Sequence, residues 1–233
     1  MIFISPPFGN YLNIPKTISI KGSFTLEPRN GLFFQILKTL RYSFEDQAWI
    51  NKIGLRNKGL DWAIKNYKQS NHEQIISIAI MNKNDISKIL KKIPEDMNIE
   101  VNVSCPNAEK EMVNQGLSNF VNDKRKWCII KVSPTTCFDT LDNYYKQGFR
   151  QFHCSNTLPT PRGGMSGHHL IPYNEKLIKH LKTNYKDIQV IGGGGIQTNE
   201  DLILYKNFGA DHMSISTLCF HPFKFFNFYK NLF

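Results

Sequence analysis

Apolar residues recur along this chain in short runs whose period changes from segment to segment. Residues 74–81 are almost wholly apolar, and 188–191 are apolar up to a run of glycines. In 99–104, Ile99, Val101 and Val103 alternate with Glu100, Asn102 and Ser104. Such runs, bounded by turn residues, predict strands. On the same grounds strands are predicted at 2–4, 18–24, 128–132, 151–154 and 213–216. Between them the period lengthens to that of a helix. Ile86, Ile89, Leu90 and Ile93 make an apolar stripe in a helix predicted over 85–93, with Asn84 as its cap. Helices are also predicted over 59–67, 111–122, 138–147, 174–185, 198–208 and 218–232. Thr198 caps the helix over 198–208, with Glu200 and Asp201 in its first turn, and Gly148 and Gly209 act as stops. In the last helix, Phe225, Phe226, Phe228 and Tyr229 read as core packing.

About eight strands alternating with about seven helices predict a compact (β/α)8 TIM barrel, an α/β fold. A doubly wound open sheet is the alternative. Only a short segment with Pro15 separates the first two strands, too short for a crossover helix. Residues 26–49 follow no period and contain Pro28 and Gly31, which predicts an excursion across the surface or over the site. A short extended piece follows at 50–55, and a polar loop runs from 155 to 167. No repeat, linker or composition break divides the chain, so one domain over 1–233 is expected.

Composition narrows this picture only a little. A hydrophobic content of 41% with 12% aromatics argues against disorder. The net charge of +10 is spread as lysines, and Lys124-Arg125-Lys126 reads as a solvated patch. Without a recognised motif beside it, no nucleic-acid partner is expected, though a positive field favours phosphates and carboxylates. The five cysteines are odd in number and lack zinc spacing, so neither a disulfide framework nor a metal site is expected. The run Met1–Ile4 is too short for a signal peptide, and no run is long enough to span a bilayer. A cytoplasmic protein without a membrane partner is therefore expected.

Chemistry concentrates at two strand ends. In Glu100-Val101-Asn102-Val103-Ser104-Cys105-Pro106-Asn107, Pro106 cannot donate to a ladder, so Asn102, Cys105 and Asn107 gather where the strand opens into a loop. A thiol between amides suits a site that reads an amide-bearing ring and moves a proton; it reads equally as a structural Cys beside turn-capping asparagines. The second end is Ile191-Gly192-Gly193-Gly194-Gly195-Ile196 before a helix, followed one strand later by Ser214-Ile215-Ser216-Thr217. Glycines and a helix N-terminus after strands seven and eight suit a phosphate.

Taken together, these motifs resemble dihydroorotate dehydrogenase, the FMN-dependent enzyme of pyrimidine synthesis. The resemblance runs from about Lys21 to Leu218. It is carried by Asn51-Lys52-Ile53-Gly54-Leu55-Arg56-Asn57, Asn102-Val103-Ser104-Cys105-Pro106-Asn107, Lys131, Asn156-Thr157, Gly163-Gly164-Met165-Ser166-Gly167, Gly194-Gly195-Ile196 and Ser216-Thr217. It implies that Cys105 is the general base removing the C5 proton of dihydroorotate while the C6 hydride passes to FMN N5. Asn51, Asn102, Asn107 and Asn156, with Thr157, would hold the pyrimidine. Backbone N–H groups around Ile53, Gly54 and Leu55 would meet its carboxylate. Lys131 would stabilise charge on reduced FMN, with Lys21, Ser23, Gly164, Gly167, Gly194, Gly195, Ser216 and Thr217 completing the cofactor site.

A Cys base resembles the soluble class, which passes electrons to fumarate or to a nicotinamide-linked partner protein; a homodimer is left open. The chain departs from the family pattern at Gly22, where soluble members carry a flavin-site Lys, with Lys21 one residue early. The missing first crossover helix and the composition of 108–116 are further departures. A flavoenzyme for another dihydropyrimidine and a non-catalytic barrel binding a phosphorylated ligand are the alternative functions.

Overall fold

The computed structural model describes residues 1–66, 73–104 and 116–230. In chain order the strands are β1 (Ile2–Ile4), β2 (Thr17–Phe24), β3 (Arg41–Ser43), β4 (Ala48–Asn51), β5 (Gln74–Ala79) and β6 (Ile99–Asn102). They continue as β7 (Cys128–Val132), β8 (Gln151–Cys154), β9 (Leu158–Thr160), β10 (Gly163–Ser166), β11 (Gln189–Gly193) and β12 (His212–Ile215). Eight of these close a barrel in the order β1-β12-β11-β8-β7-β6-β5-β2. Every neighbouring pair in it is parallel. The predicted barrel is thus present. Between β1 and β2 lies only a 3-10 turn, Phe8–Asn10, where a full unit would carry a crossover helix.

Alternation decides what each barrel strand turns inward. Phe3, Ile18, Ile20, Ile75, Ile129 and Ile191 form one buried apolar cluster with Trp127. Two residues further along the same strands stand Ser5, Gly22, Ser77, Lys131 and Gly193, so the interior turns from apolar to polar toward the strand ends. Glu100 and His153 join that polar layer, both at 0% exposure. The opposite strand faces carry Ile76, Ile78, Val101, Ile130, Val132, Phe152 and Val190 into the main core, against Ile86, Ile89, Leu141, Leu177, Ile178, Leu181 and Leu202 of the outer helices.

Two of the described helices start where side chains satisfy their first N–H groups. Asn82 caps Lys83–Leu90 by accepting from the N–H of Asn84 at 3.0 Å, and Asp85 reciprocates. The cap is thus Asn82 and not Asn84, and the helix stops three residues short of the predicted end. Thr198 and Asp201 form a capping box on Asn199–Phe208, and Gly209 closes it at φ +105°. The predicted final helix is split into a 3-10 turn, Thr217–Phe220, and a helix, Pro222–Lys230. Phe228 packs in the core as expected, whereas Phe226 is 65% exposed, because its side of the helix faces away from the barrel. Residues 111–115 of the predicted helix at 111–122 lie outside the described residues, and Leu117–Phe120 is 3-10.

The excursion over 26–49 has more order than its pattern shows. It contains the helix Leu32–Thr39 and the hairpin β3–β4. The loop after β8 forms a second hairpin, β9–β10. The two join as a four-stranded antiparallel sheet, β3-β4-β10-β9, with Gly164 opposite Asn51. In the barrel order β2 and β8 stand diametrically opposite, so this sheet bridges the barrel mouth.

Candidate active site

A cavity of about 690 Å³ opens at the C-terminal end of the barrel, within the usual range for a cofactor site. Its floor is the polar layer. Glu100 accepts from Ser77 Oγ at 2.6 Å and from His153 Nδ1 at 2.5 Å. The Ser77 hydroxyl is committed to the carboxylate, so Ser23 is the donor in the 2.7 Å contact between the two serines. Ser23 Oγ in turn accepts from Asn102 Nδ2 at 2.8 Å. Asn102 Oδ1 accepts from Ser104 N at 3.2 Å and Ser104 Oγ at 2.6 Å. The backbone donor at Ser104 fixes which end of the Asn102 amide is oxygen. One chain of donors therefore runs from Asn102 through Ser23 and Ser77 to Glu100.

Burial pushes the Glu100 carboxyl up, but Lys131, His153 and the two hydrogen bonds outweigh it and hold it down to about 2. Burial and the Lys131 charge keep His153 below its ordinary value of 6.5, so the ring is neutral and donates from Nδ1. Lys131 and His153 are register partners on β7 and β8, as Asn102 and Lys131 are on β6 and β7. Three strand ends thus bring an amide, an ammonium and an imidazole together.

One wall is the turn 51–56. Asn51 Oδ1 accepts from Ile53 N at 3.3 Å, which occupies one of the N–H groups expected to face a carboxylate. Gly54 and Leu55 follow with φ of +69° and +55°. Asn57 pins the turn by donating to Leu55 O at 2.7 Å and accepting from Gly59 N at 2.8 Å. Lys52 and Arg56 line the cavity as well. Arg56 Nη1 donates to Asn30 O, and its buried Nε has no partner among the described residues. Across from it, Asn156 Oδ1 accepts from Thr157 N at 2.8 Å, and its NH₂ has no acceptor among the described residues.

The far end is the glycine turn. Tyr205 OH lies 2.8 Å from Gly193 O and 2.6 Å from Gly194 O, and Asn174 Nδ2 donates to Gly193 O at 2.6 Å. With these carbonyls held from outside, Gly194 and Gly195 turn at φ of +88° and +84°. A Cβ on Gly195 would stand 2.9 Å from Gly167 O. At the start of the following helix Asp201 Oδ2 accepts from Gln197 N and Thr198 N, and Thr198 Oγ1 accepts from Asp201 N. Ser216 Oγ donates to Pro6 O at 2.9 Å beside the turn. Trp49, Phe220, Tyr11, Leu32, Ile36 and Leu40 add an apolar lobe, with Trp49 and Phe220 stacked at 4.5 Å.

The lining includes Asn51, Ile53, Gly54, Leu55, Asn102, Asn156, Thr157, Ser23, Lys131, Gly164, Gly194, Gly195, Ser216 and Thr217. Lys21 and Gly167 are not part of it. Ile20 and Gly22 face the interior, so Lys21 alternates outward. Cys105 and Asn107 lie outside the described residues. Sequence reading missed Lys52 and Arg56, although both sit in the 51–57 segment it singled out. It also missed His153 and Ser77, whose only signal is their position within strands. No helix among the described residues is long and apolar enough to cross a membrane.

The arrangement fits a flavin. Lys131 supplies a cation at the floor, the lobe supplies apolar surface for flat rings, and the glycine turn supplies room for a phosphate. Comparison with known proteins points the same way. The family model described as Dihydroorotate dehydrogenase matches residues 16–228. The chain is similar to the catalytic subunit of dihydroorotate dehydrogenase B (NAD(+)) from Thermotoga petrophila, with 24% identity over 94% of this chain and 91% of that one. The corresponding subunit from Bacillus pumilus is 26% identical over 91% of this chain and 77% of its own. Among solved structures, DHODH from Eimeria tenella in complex with ferulenol superposes with a TM-score of 0.72 at 16% identity, covering 96% of this chain and 77% of that one. This last likeness is one of fold.

Proposed function

The chain belongs to the dihydroorotate dehydrogenase family, and on that premise we propose that it oxidises dihydroorotate to orotate in pyrimidine synthesis, as one FMN-binding domain over residues 1–233. The observation that carries this reading is the convergence of Lys131, Asn102, Asn156 and the Gly194–Gly195 turn on one cavity.

Bound FMN would supply the hydride acceptor; binding, orientation and proton transfer fall to the protein. Lys131 holds positive charge at the cofactor's electron-rich edge, where reduction places negative charge. Gly194 and Gly195 let backbone N–H groups approach the phosphate, with Ser216 and Thr217 beside them. Gly164 lies where a Cβ would meet Thr157 Oγ1 at 2.4 Å, so the wall stays thin there. Asn51, Asn102, Asn107 and Asn156 read the ring, whose N–H and C=O groups match an amide's donor and acceptor. Asn156 has its oxygen committed and therefore donates to a ring carbonyl. The substrate carboxylate meets Arg56 and Lys52 together with the N–H groups of Gly54 and Leu55. Cys105 follows Ser104, which lines the cavity, and takes the C5 proton.

The names of the similar bacterial subunits favour a nicotinamide-linked partner protein over fumarate as acceptor, and a cytoplasmic location fits that partner. An absorbance spectrum tests the reading: protein reconstituted with FMN is mixed anaerobically with dihydroorotate. Bleaching of the flavin band is expected. An unchanged spectrum, or protein that takes up no FMN, would overturn the proposal.

A further inference from the structure

The cavity floor holds an ion pair that does not close. Lys131 Nζ stands 3.6 Å from Glu100 Oε1, with side chains 9% and 0% exposed. That is beyond hydrogen-bond range, although attraction between opposite charges strengthens away from water. Two other donors set the position of the carboxylate. His153 donates to Oε2 at 2.5 Å and Ser77 to Oε1 at 2.6 Å, and both donors come from strands that fix their direction. His153 is fully buried, and its Nε2 has no partner among the described residues. An imidazole there carries a desolvation cost that a leucine would not, and among the described residues its hydrogen bonding goes to Glu100.

We propose that His153 is a positioning residue that holds Glu100 off Lys131, so that the ammonium keeps its N–H donors for an electron-rich ligand edge in the cavity. The identity of that ligand as FMN rests on the function proposed above; the geometry does not. If His153 is removed, Oε2 is released and the carboxylate turns onto Lys131, drawing the ammonium down from the floor. His153→Leu makes that change. His153→Asn does not, because the Asn amide nitrogen hangs from Cγ as Nδ1 does and can donate to the same oxygen.

Two readouts separate the possibilities. The first is the rate at which a limiting, small acylating reagent modifies Lys131 in protein without added flavin, read by peptide mass spectrometry. The second is FMN affinity by fluorescence quenching. In His153→Leu, Lys131 acylation should slow by roughly fivefold and the FMN Kd should rise by about tenfold, the scale of one hydrogen bond to a charged group. His153→Asn should restore both to near the wild-type values. If His153→Leu does not fold, Ser77→Ala releases the other carboxylate oxygen and should slow acylation likewise. Equal acylation rates in wild type and the folded variant, or His153→Asn behaving as His153→Leu, would overturn the proposal. Acylation rates that split as expected in protein that never binds FMN would overturn the flavin reading and leave the positioning role standing.

Discussion

Asn102 on β6 donates to Ser23 on β2 at 2.8 Å, across the intervening strand β5. The bond fixes the amide's direction at the cavity wall, because the Asn102 oxygen is taken by Ser104. Ser23→Ala should leave the fold intact at a cost of about 1 kcal/mol for the lost hydrogen bond. Its larger effect should be a several-fold higher KM for dihydroorotate. Steady-state kinetics and urea unfolding check both parts. An unchanged KM would remove Asn102 from substrate recognition.

Lys131→Met should do more damage than the loss of one ligand contact. It leaves the buried Glu100 charge without its nearest cation, and breaking a buried pair typically costs about 3–5 kcal/mol. A large drop in Tm and loss of bound flavin are expected. Lys131→Met combined with Glu100→Gln should recover much of the Tm without recovering the flavin. Recovery of both would place Lys131 in a purely structural role.

Gly195→Ala meets two obstacles at once. The backbone there is left-handed at φ +84°, and the new Cβ would stand 2.9 Å from Gly167 O and 3.0 Å from His168 Cα. A cost of about 1–3 kcal/mol and weaker FMN binding should result. Riboflavin, lacking the phosphate, should lose far less affinity. Equal losses for the two flavins would move the phosphate away from this turn.

Cys105→Ala should retain FMN and lose its reduction by dihydroorotate, since the thiol is assigned to the substrate proton and not to the cofactor. Stopped-flow absorbance reads both. Wild-type reduction rates in this variant would refute the assignment.

Acid should destabilise the protein in two stages. Glu100 is held down to about 2 from an ordinary 4.5, so its contribution is fully present above 4.5 and is lost as pH falls through about 2. His153 is held below its ordinary 6.5, so the unfolded chain takes up that proton first. Stability therefore begins to fall as pH drops below 6.5. Urea midpoints measured across this range should decline with acid, and His153→Asn should flatten the upper part of the decline.

The barrel was legible because its strands and helices are set by local period. Ile99, Val101 and Val103 face the helices, and the strand ends carry Asn102, Lys131 and Gly194–Gly195 to one side of the barrel. Period could not reveal the β3-β4-β10-β9 sheet, because Asn51 pairs with Gly164 through contacts far apart in sequence and the strands are short. The Glu100–His153 contact was hidden for another reason. Alternation separates two faces of a strand but does not say that the polar face is buried. Glu100 therefore looks the same from sequence whether it meets solvent or an imidazole. The helix Leu32–Thr39 was obscured because it is only eight residues long and follows Pro28 and Gly31, which read as breakers.

The pairing of Asn51 with Gly164 ties together segments that leave the barrel from strands on opposite sides. Their lengths are consequently not independent variables. Inserting a residue before β4 alone would shift its pairing with β10 by one and turn Asn51 away from the cavity. A change in one segment survives only with a matching change in the other, so two stretches more than a hundred residues apart vary as a single unit of length.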